Sequence, residues 1–175
     1  LMLSIGMAAN KRIWLCDKGF ILKETGRIRV CLFADIGQIR IKEEKADVLG
    51  PIGFHFYECY FIDVNEVKYV INRDFFYYRQ MVEVICEKVD PRLLQEHLQR
   101  FRDGETLKYG RLSISKDGIQ KGRRRRSWHE VNAWKLHEQD NVDAAAVYFM
   151  YGDKRQIFQL MNKVANIHIL IQLLK

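Results

Sequence analysis

Residues Ser115-Lys116-Asp117-Gly118-Ile119, with His129-Glu130-Val131 after them, decide how this chain is read, because the same phrase occurs earlier. Its counterpart is Cys16-Asp17-Lys18-Gly19-Phe20-Ile21, with Ala34-Asp35-Ile36 after it. Gly19 and Gly118 stand 99 positions apart, and the two acid-plus-β-branched pairs stand 95 apart. The four-residue difference reads as a longer turn in the first half. Glycine reaches backbone conformations closed to other residues, so each phrase marks a reversal between two strands. Recurrence at a near-fixed separation is the signature of a duplicated β-unit.

Working outward, Arg12 to Cys16 reads as a strand and Phe20 to Lys23 as its return. Arg27 to Phe33 alternates, with Ile28, Val30 and Leu32 on one side and Arg27, Arg29 and Cys31 on the other. That is the pattern of a half-buried strand. Ile36, Ile39 and Ile41 continue into another strand, and Gly50-Pro51-Ile52-Gly53 breaks it. Phe54 to Asp63 and Val67 to Ile71 form a hairpin around Val64-Asn65-Glu66. The period then changes. Phe75, Tyr78, Val82, Ile85 and Val89 recur at helical spacing, with Asp74 as N-cap. Asp90-Pro91 restarts a helix lined by Leu94, Leu98 and Phe101, and Gly104 stops it.

The remainder repeats this plan. Leu107 to Ser115 is a strand with Leu112 and Ile114 inward, and Ile119 to Trp128 is a strand carrying an arginine run. Val131 to His137 follows, then a hairpin of Val142 to Tyr151 and Gln156 to Val164. Asn166 caps a last helix with Ile167, Leu170, Ile171 and Leu174 on one face. The expected fold class is α+β, mainly antiparallel β. Residues 1–10 are expected to be a flexible or truncated lead segment, 11–104 a first module and 105–175 a second, shorter one, each closed by a C-terminal helix.

Lys116-Asp117-Gly118-Ile119, Ser127-Trp128-His129-Glu130-Val131 and the late Asn166 before an apolar helix resemble bacterial pleckstrin-homology-like domains, close to an uncharacterised bacterial family with that fold. Trp128, Glu130, Val131 and Asn166 match the family's landmarks, and Gly19-Phe20 and Asp35-Ile36 are their counterparts in the first half. The resemblance covers most of 12–175 and implies tandem β-barrel or sandwich modules of the pleckstrin-homology type. It also implies a binding or scaffolding role with no catalytic activity and no cofactor.

Charge supplies the one functional clue. The chain of 175 residues carries 29 basic and 22 acidic residues, a net charge of +7. Residues 107–135 hold nine of the basic residues and two acids, so the whole excess lies in that segment. A localised cationic surface attracts polyanions. Lys116, Lys121, Arg123, Arg124, Arg125 and Arg126 are the candidate binding residues. Arginine suits phosphate and carboxylate because its planar fork donates two hydrogen bonds at once. In a strand, Arg123 and Arg125 face one side and Arg124 and Arg126 the other. The competing reading is a solvated hairpin whose arginines pair with acids such as Glu43 and Glu44. The expected partner is an anionic lipid surface or an acidic protein. The alternatives are nucleic acid on the same patch, or a purely structural interaction domain of a larger protein. Against nucleic acid, the patch lacks interleaved exposed aromatics and a helix for the major groove.

No glycine-rich phosphate loop, zinc-protease helix or serine elbow occurs in the sequence, and none of its histidine–glutamate neighbours is read as a metal site. The chain is therefore read as non-catalytic. Asp35 and Glu130 are read as caps of short turns. Cys16, Cys31, Cys59 and Cys86 lie among apolar neighbours without ligand spacing. They read as free thiols of a reducing compartment, which points to the cytoplasm, and the cationic patch points to a place there at or near the membrane. No apolar run approaches the ~18 residues of a membrane helix.

Overall fold

The computed structural model describes residues 3–8, 11–47, 53–75, 77–137, 146–152, 155–160 and 164–174. The first half holds β1 (Leu3–Ala8), β2 (Lys11–Cys16), β3 (Gly19–Glu24), β4 (Arg27–Leu32), β5 (Ile36–Asp47), β6 (Gly53–Asp63), β7 (Lys68–Asn72) and α1 (Tyr78–Arg102). The second holds β8 (Leu107–Tyr109), β9 (Leu112–Ser115), β10 (Gly118–Lys121), β11 (Arg124–Ser127), β12 (Val131–His137), β13 (Ala146–Tyr151), β14 (Arg155–Leu160) and α2 (Ile167–Leu173). The fold is α+β, and among the described residues every strand pairing is antiparallel. The order is the same twice: a four-stranded meander, a 3-10 turn, a three-stranded meander and a helix. Among the described residues the four sheets are open, and no barrel closes. Leu3–Ala8 pair with β2, so part of the lead segment that the sequence reads as flexible or truncated is a strand of the first sheet.

The repeated glycines mark a repeated contact. A Cβ on Gly19 would lie 2.2 Å from the Cys31 carbonyl oxygen, and one on Gly118 would lie 2.0 Å from that of Arg126. In both places the strand pair approaches too closely for a side chain. The following 3-10 turns match as well. Phe33 N–H donates to Lys18 O at 2.9 Å, and Trp128 N–H donates to Asp117 O at 3.3 Å. The four-residue difference between the copies does not lie in the turn, as the sequence reading places it. Glu24 pairs with Arg27 and Lys121 with Arg124, so both hairpins turn over two residues, and the first has longer strands.

Three other expectations are revised. The inward side of β4 is the one bearing Cys31, which is buried, while Ile28, Val30 and Leu32 are 65%, 58% and 46% exposed. Arg29 tolerates the inward side because its guanidinium bonds to Glu24 and the Lys68 carbonyl and lies over the Tyr69 ring. Next, α1 runs through Pro91 without a restart and begins at Tyr78, not after Asp74. Last, the reading of Ile119 to Trp128 as one strand fails at Gly122, whose φ of 59° turns the chain.

Apolar burial gathers in two clusters. The first is built on Phe20, Phe61, Ile71, Met81 and Ile85, the second on Tyr109, Leu112, Ile119, Phe149 and Leu170. Each fully buried side chain of this size contributes about 1.5–3 kcal/mol. The helices share themselves between the clusters. Ile169 of α2 belongs to the first cluster, whereas Ile167 and Leu170 belong to the second. Conversely, Phe101 near the end of α1 packs against the second cluster, and His97 Nδ1 lies 2.7 Å from Tyr109 Oη.

Asn166 secures this exchange. It occupies the N-cap position of α2 at a φ of 55°, but its side chain makes no cap bond. Instead it reaches β5, where the register shifts between Ile36 and Gln38. Its amide donates to Gly37 O at 3.0 Å, and its carbonyl accepts the Ile39 N–H at 2.7 Å. His168 Nε2 lies 2.9 Å from Asp90 Oδ1 on α1.

Candidate functional site

The arginine run folds as a hairpin because Gly122 supplies the positive φ that a two-residue turn needs. Alternation then divides the cations between two faces, as the strand period requires. Leu112, Lys121 and Arg124 form one cross-strand row, and Ile114, Ile119 and Arg126 form another on the same, core-facing side. Ser113, Gln120 and Arg125 face outward.

The core-facing row ends in a groove of about 440 Å³ lined by Arg111, Lys121, Arg123, Arg124, Gln156 and Phe158. None of its described lining residues is an acid. Lys121 donates to the Phe158 carbonyl, and its ammonium stands 4.3 Å from the centre of that ring. Partial burial, with the Arg111 and Arg124 guanidiniums nearby, pulls the Lys121 ammonium below the usual lysine range. Among the described residues Arg111, Arg123 and Arg124 have no carboxylate partner.

The other three predicted residues lie elsewhere. Lys116 sits in the β9–β10 turn and donates to Arg102 O at 2.6 Å. Arg125 pairs with Asp117 at 3.2 Å, with both side chains largely exposed. With Lys116 they line an outer-face hollow of about 350 Å³ that contains an acid. Arg126 lies over the Tyr151 ring at 4.5 Å and donates to its neighbour's carbonyl at 2.8 Å. The six candidates therefore form no single site: Lys121, Arg123 and Arg124 share the groove. The sequence reading missed Arg111 and Phe158. Arg111 was legible as part of the basic excess, but Phe158 is brought in only by the packing of β14. The side chains of Glu43 and Glu44 lie outside those described.

Of the two acids read as caps, Glu130 takes that role. Its carboxylate accepts from the Ser127 N–H and from Ser127 Oγ, each at 2.9 Å. These bonds hold its carboxyl below the ordinary range. Asp35 makes no side-chain cap. All four cysteines are unpaired, and burial pushes the Cys31 and Cys86 thiols up to about 12. Such thiols carry almost no thiolate near neutral pH.

The model of a family of unknown function, DUF6585, matches residues 2–175, and the chain belongs to that family. No curated protein and no solved structure matches the chain. No helix among the described residues is long and apolar enough to cross a membrane.

Proposed function

For this member of the DUF6585 family we propose a non-catalytic binding role, in which a pleckstrin-homology-like module grips an anionic partner through the β10–β11 hairpin. The partner is an anionic membrane surface or an acidic protein, met in the cytoplasm. The observation that supports the reading is the crowding of Arg111, Lys121 and Arg124 at a groove whose described lining has no acid. Like charges held together are relieved by a bound anion, so the free groove is held in readiness for one. Near an anionic bilayer each such cation contributes about 1 kcal/mol, a salt-sensitive attraction.

Co-sedimentation with vesicles tests this. Wild type and an Arg111→Ala, Lys121→Ala, Arg124→Ala variant are compared on vesicles of neutral lipid and of neutral lipid with phosphatidylserine, at about 50 and 200 mM salt. A parallel arm uses poly-glutamate. The expected result is wild-type binding to one anionic probe, weakened by salt and lost in the variant. Equal behaviour of both proteins on every probe removes the groove as a binding site.

A further inference from the structure

The repeated sheet provides its own internal control. The outer face of the first four-stranded sheet carries the row Trp14, Ile21, Val30. At the matching row of the second sheet stand Ser113, Gln120 and Arg125. The same sheet position is thus polar in one copy and apolar in the other, so the fold does not require apolar residues there. Val30 is 58% exposed, and its neighbours along β4, Ile28 and Leu32, are exposed as well. Two more exposed valines, Val64 and Val67, belong to the turn between β6 and β7, which the Val64 N–H to Asp35 carbonyl bond ties to the 3-10 turn that follows β4. Contiguous exposed apolar surface on a water-facing sheet marks an interaction site.

Charge and geometry select the occupant. The three rows from Arg12–Lys23–Ile28 to Cys16–Gly19–Leu32 contain two cations and no carboxylate. Two copies of this face would bring cation to cation, which disfavours self-association. Addition of a partner strand along β4 is obstructed, because Tyr69 Oη donates to the Val30 carbonyl at 2.9 Å and Arg29 to the Lys68 carbonyl at 2.8 Å. The contact therefore lies across the face, not along the edge. From Ile28 to Leu32 the apolar positions extend about 13 Å along one strand. That shape fits a short protein segment and not the protruding tip that enters a bilayer. We infer that the outer face of the first sheet, centred on Trp14, Ile21 and Val30, docks a protein segment that presents apolar side chains flanked by carboxylates.

The test uses two synthetic helical peptides of about twelve residues with one leucine face, the other face being glutamate in the first and lysine in the second. Fluorescence anisotropy measures binding to the full chain, to an Ile28→Ser, Val30→Ser, Leu32→Ser variant and to an Arg12→Glu, Lys23→Glu variant. The substituted side chains are surface groups, and thermal melts check that the variants fold. The glutamate peptide is expected to bind wild type at least about tenfold more tightly than the lysine peptide. The serine variant loses at least about tenfold, and the charge-reversed variant prefers the lysine peptide. The proposal is overturned if the glutamate peptide fails to bind wild type at about 1 mM, or binds the serine variant equally. It is also overturned if wild type alone sediments as a dimer, or if phosphatidylserine vesicles, not peptides, distinguish wild type from the serine variant. None of these variants touches the basic groove, so failure here leaves the anion-binding reading standing, and the reverse.

Discussion

Asn166 and Ile39 are joined by two hydrogen bonds of 2.7 Å, one to the side-chain carbonyl and one from the Asn166 backbone N–H, although 127 residues separate them. The residue that the sequence reads as a helix cap is instead a clasp between halves. Asn166→Gly keeps the positive φ but leaves the Ile39 N–H and the Gly37 carbonyl without their partner. The expected loss is about 2–4 kcal/mol, from one buried unpaired donor and two lost bonds. Asn166→Ala adds roughly 1 kcal/mol of left-handed strain. Urea titration of the two variants against wild type measures both steps.

Gly118 and Gly122 lie in the same hairpin with opposite surroundings. A Cβ on Gly118 meets backbone at 2.0 Å, whereas one on Gly122 meets nothing within 4 Å. Gly118→Ala is expected to destabilise by about 3 kcal/mol or more, because backbone cannot step aside. Gly122→Ala suffers only the strain of its φ, about 1–2 kcal/mol. Thermal melts that rank the two equally contradict this assignment of the repeated glycine.

His97 gives stability a dependence on pH. Burial, with Arg100 nearby, lowers its pKa from the ordinary 6.5. The neutral ring is favoured in the fold, where Tyr109 Oη stands 2.7 Å from Nδ1. Below the unfolded value the unfolded chain binds the proton more readily, so the contribution present above about pH 6.5 is lost as pH falls. His97→Gln should flatten the stability profile between about pH 7 and 5. A profile that steepens, or that is unchanged, assigns the dependence to another group.

The split of the arginine run predicts unequal contributions to anion binding. Arg124→Ala should weaken retention on poly-glutamate or anionic vesicles severalfold. Arg125→Ala, whose side chain faces away and pairs with Asp117, should leave retention and melting temperature unchanged. Equal losses from the two substitutions would place the partner over the hairpin tip, not in the groove.

Most of this architecture was legible because glycine and alternation report local geometry directly. The strand–turn–strand order, the helix face of Val82, Ile85 and Val89, and the recurrence of the Gly19 and Gly118 phrases all follow from such signals. What failed was phase and distance. Alternation along Arg27–Leu32 fixes the period but not which side is buried. An arginine can point inward when Glu24, a carbonyl and an aromatic ring receive it. Pro91 stops no helix here, because tertiary packing of α1 overrides a local breaker. Phe158 and Asn166 act on residues far away in sequence, and composition says nothing about such partners.

Repeats usually owe each other little: each copy can drift, shrink or disappear while its neighbour persists. The exchange of Ile169 and Phe101 between the two cores ends that independence. Cutting the chain between the halves opens a hole in one core, bares a ring in the other and strands the amide of Asn166. Each piece is left with part of its core missing. The two halves, alike in their order of strands, are bound into one folding unit.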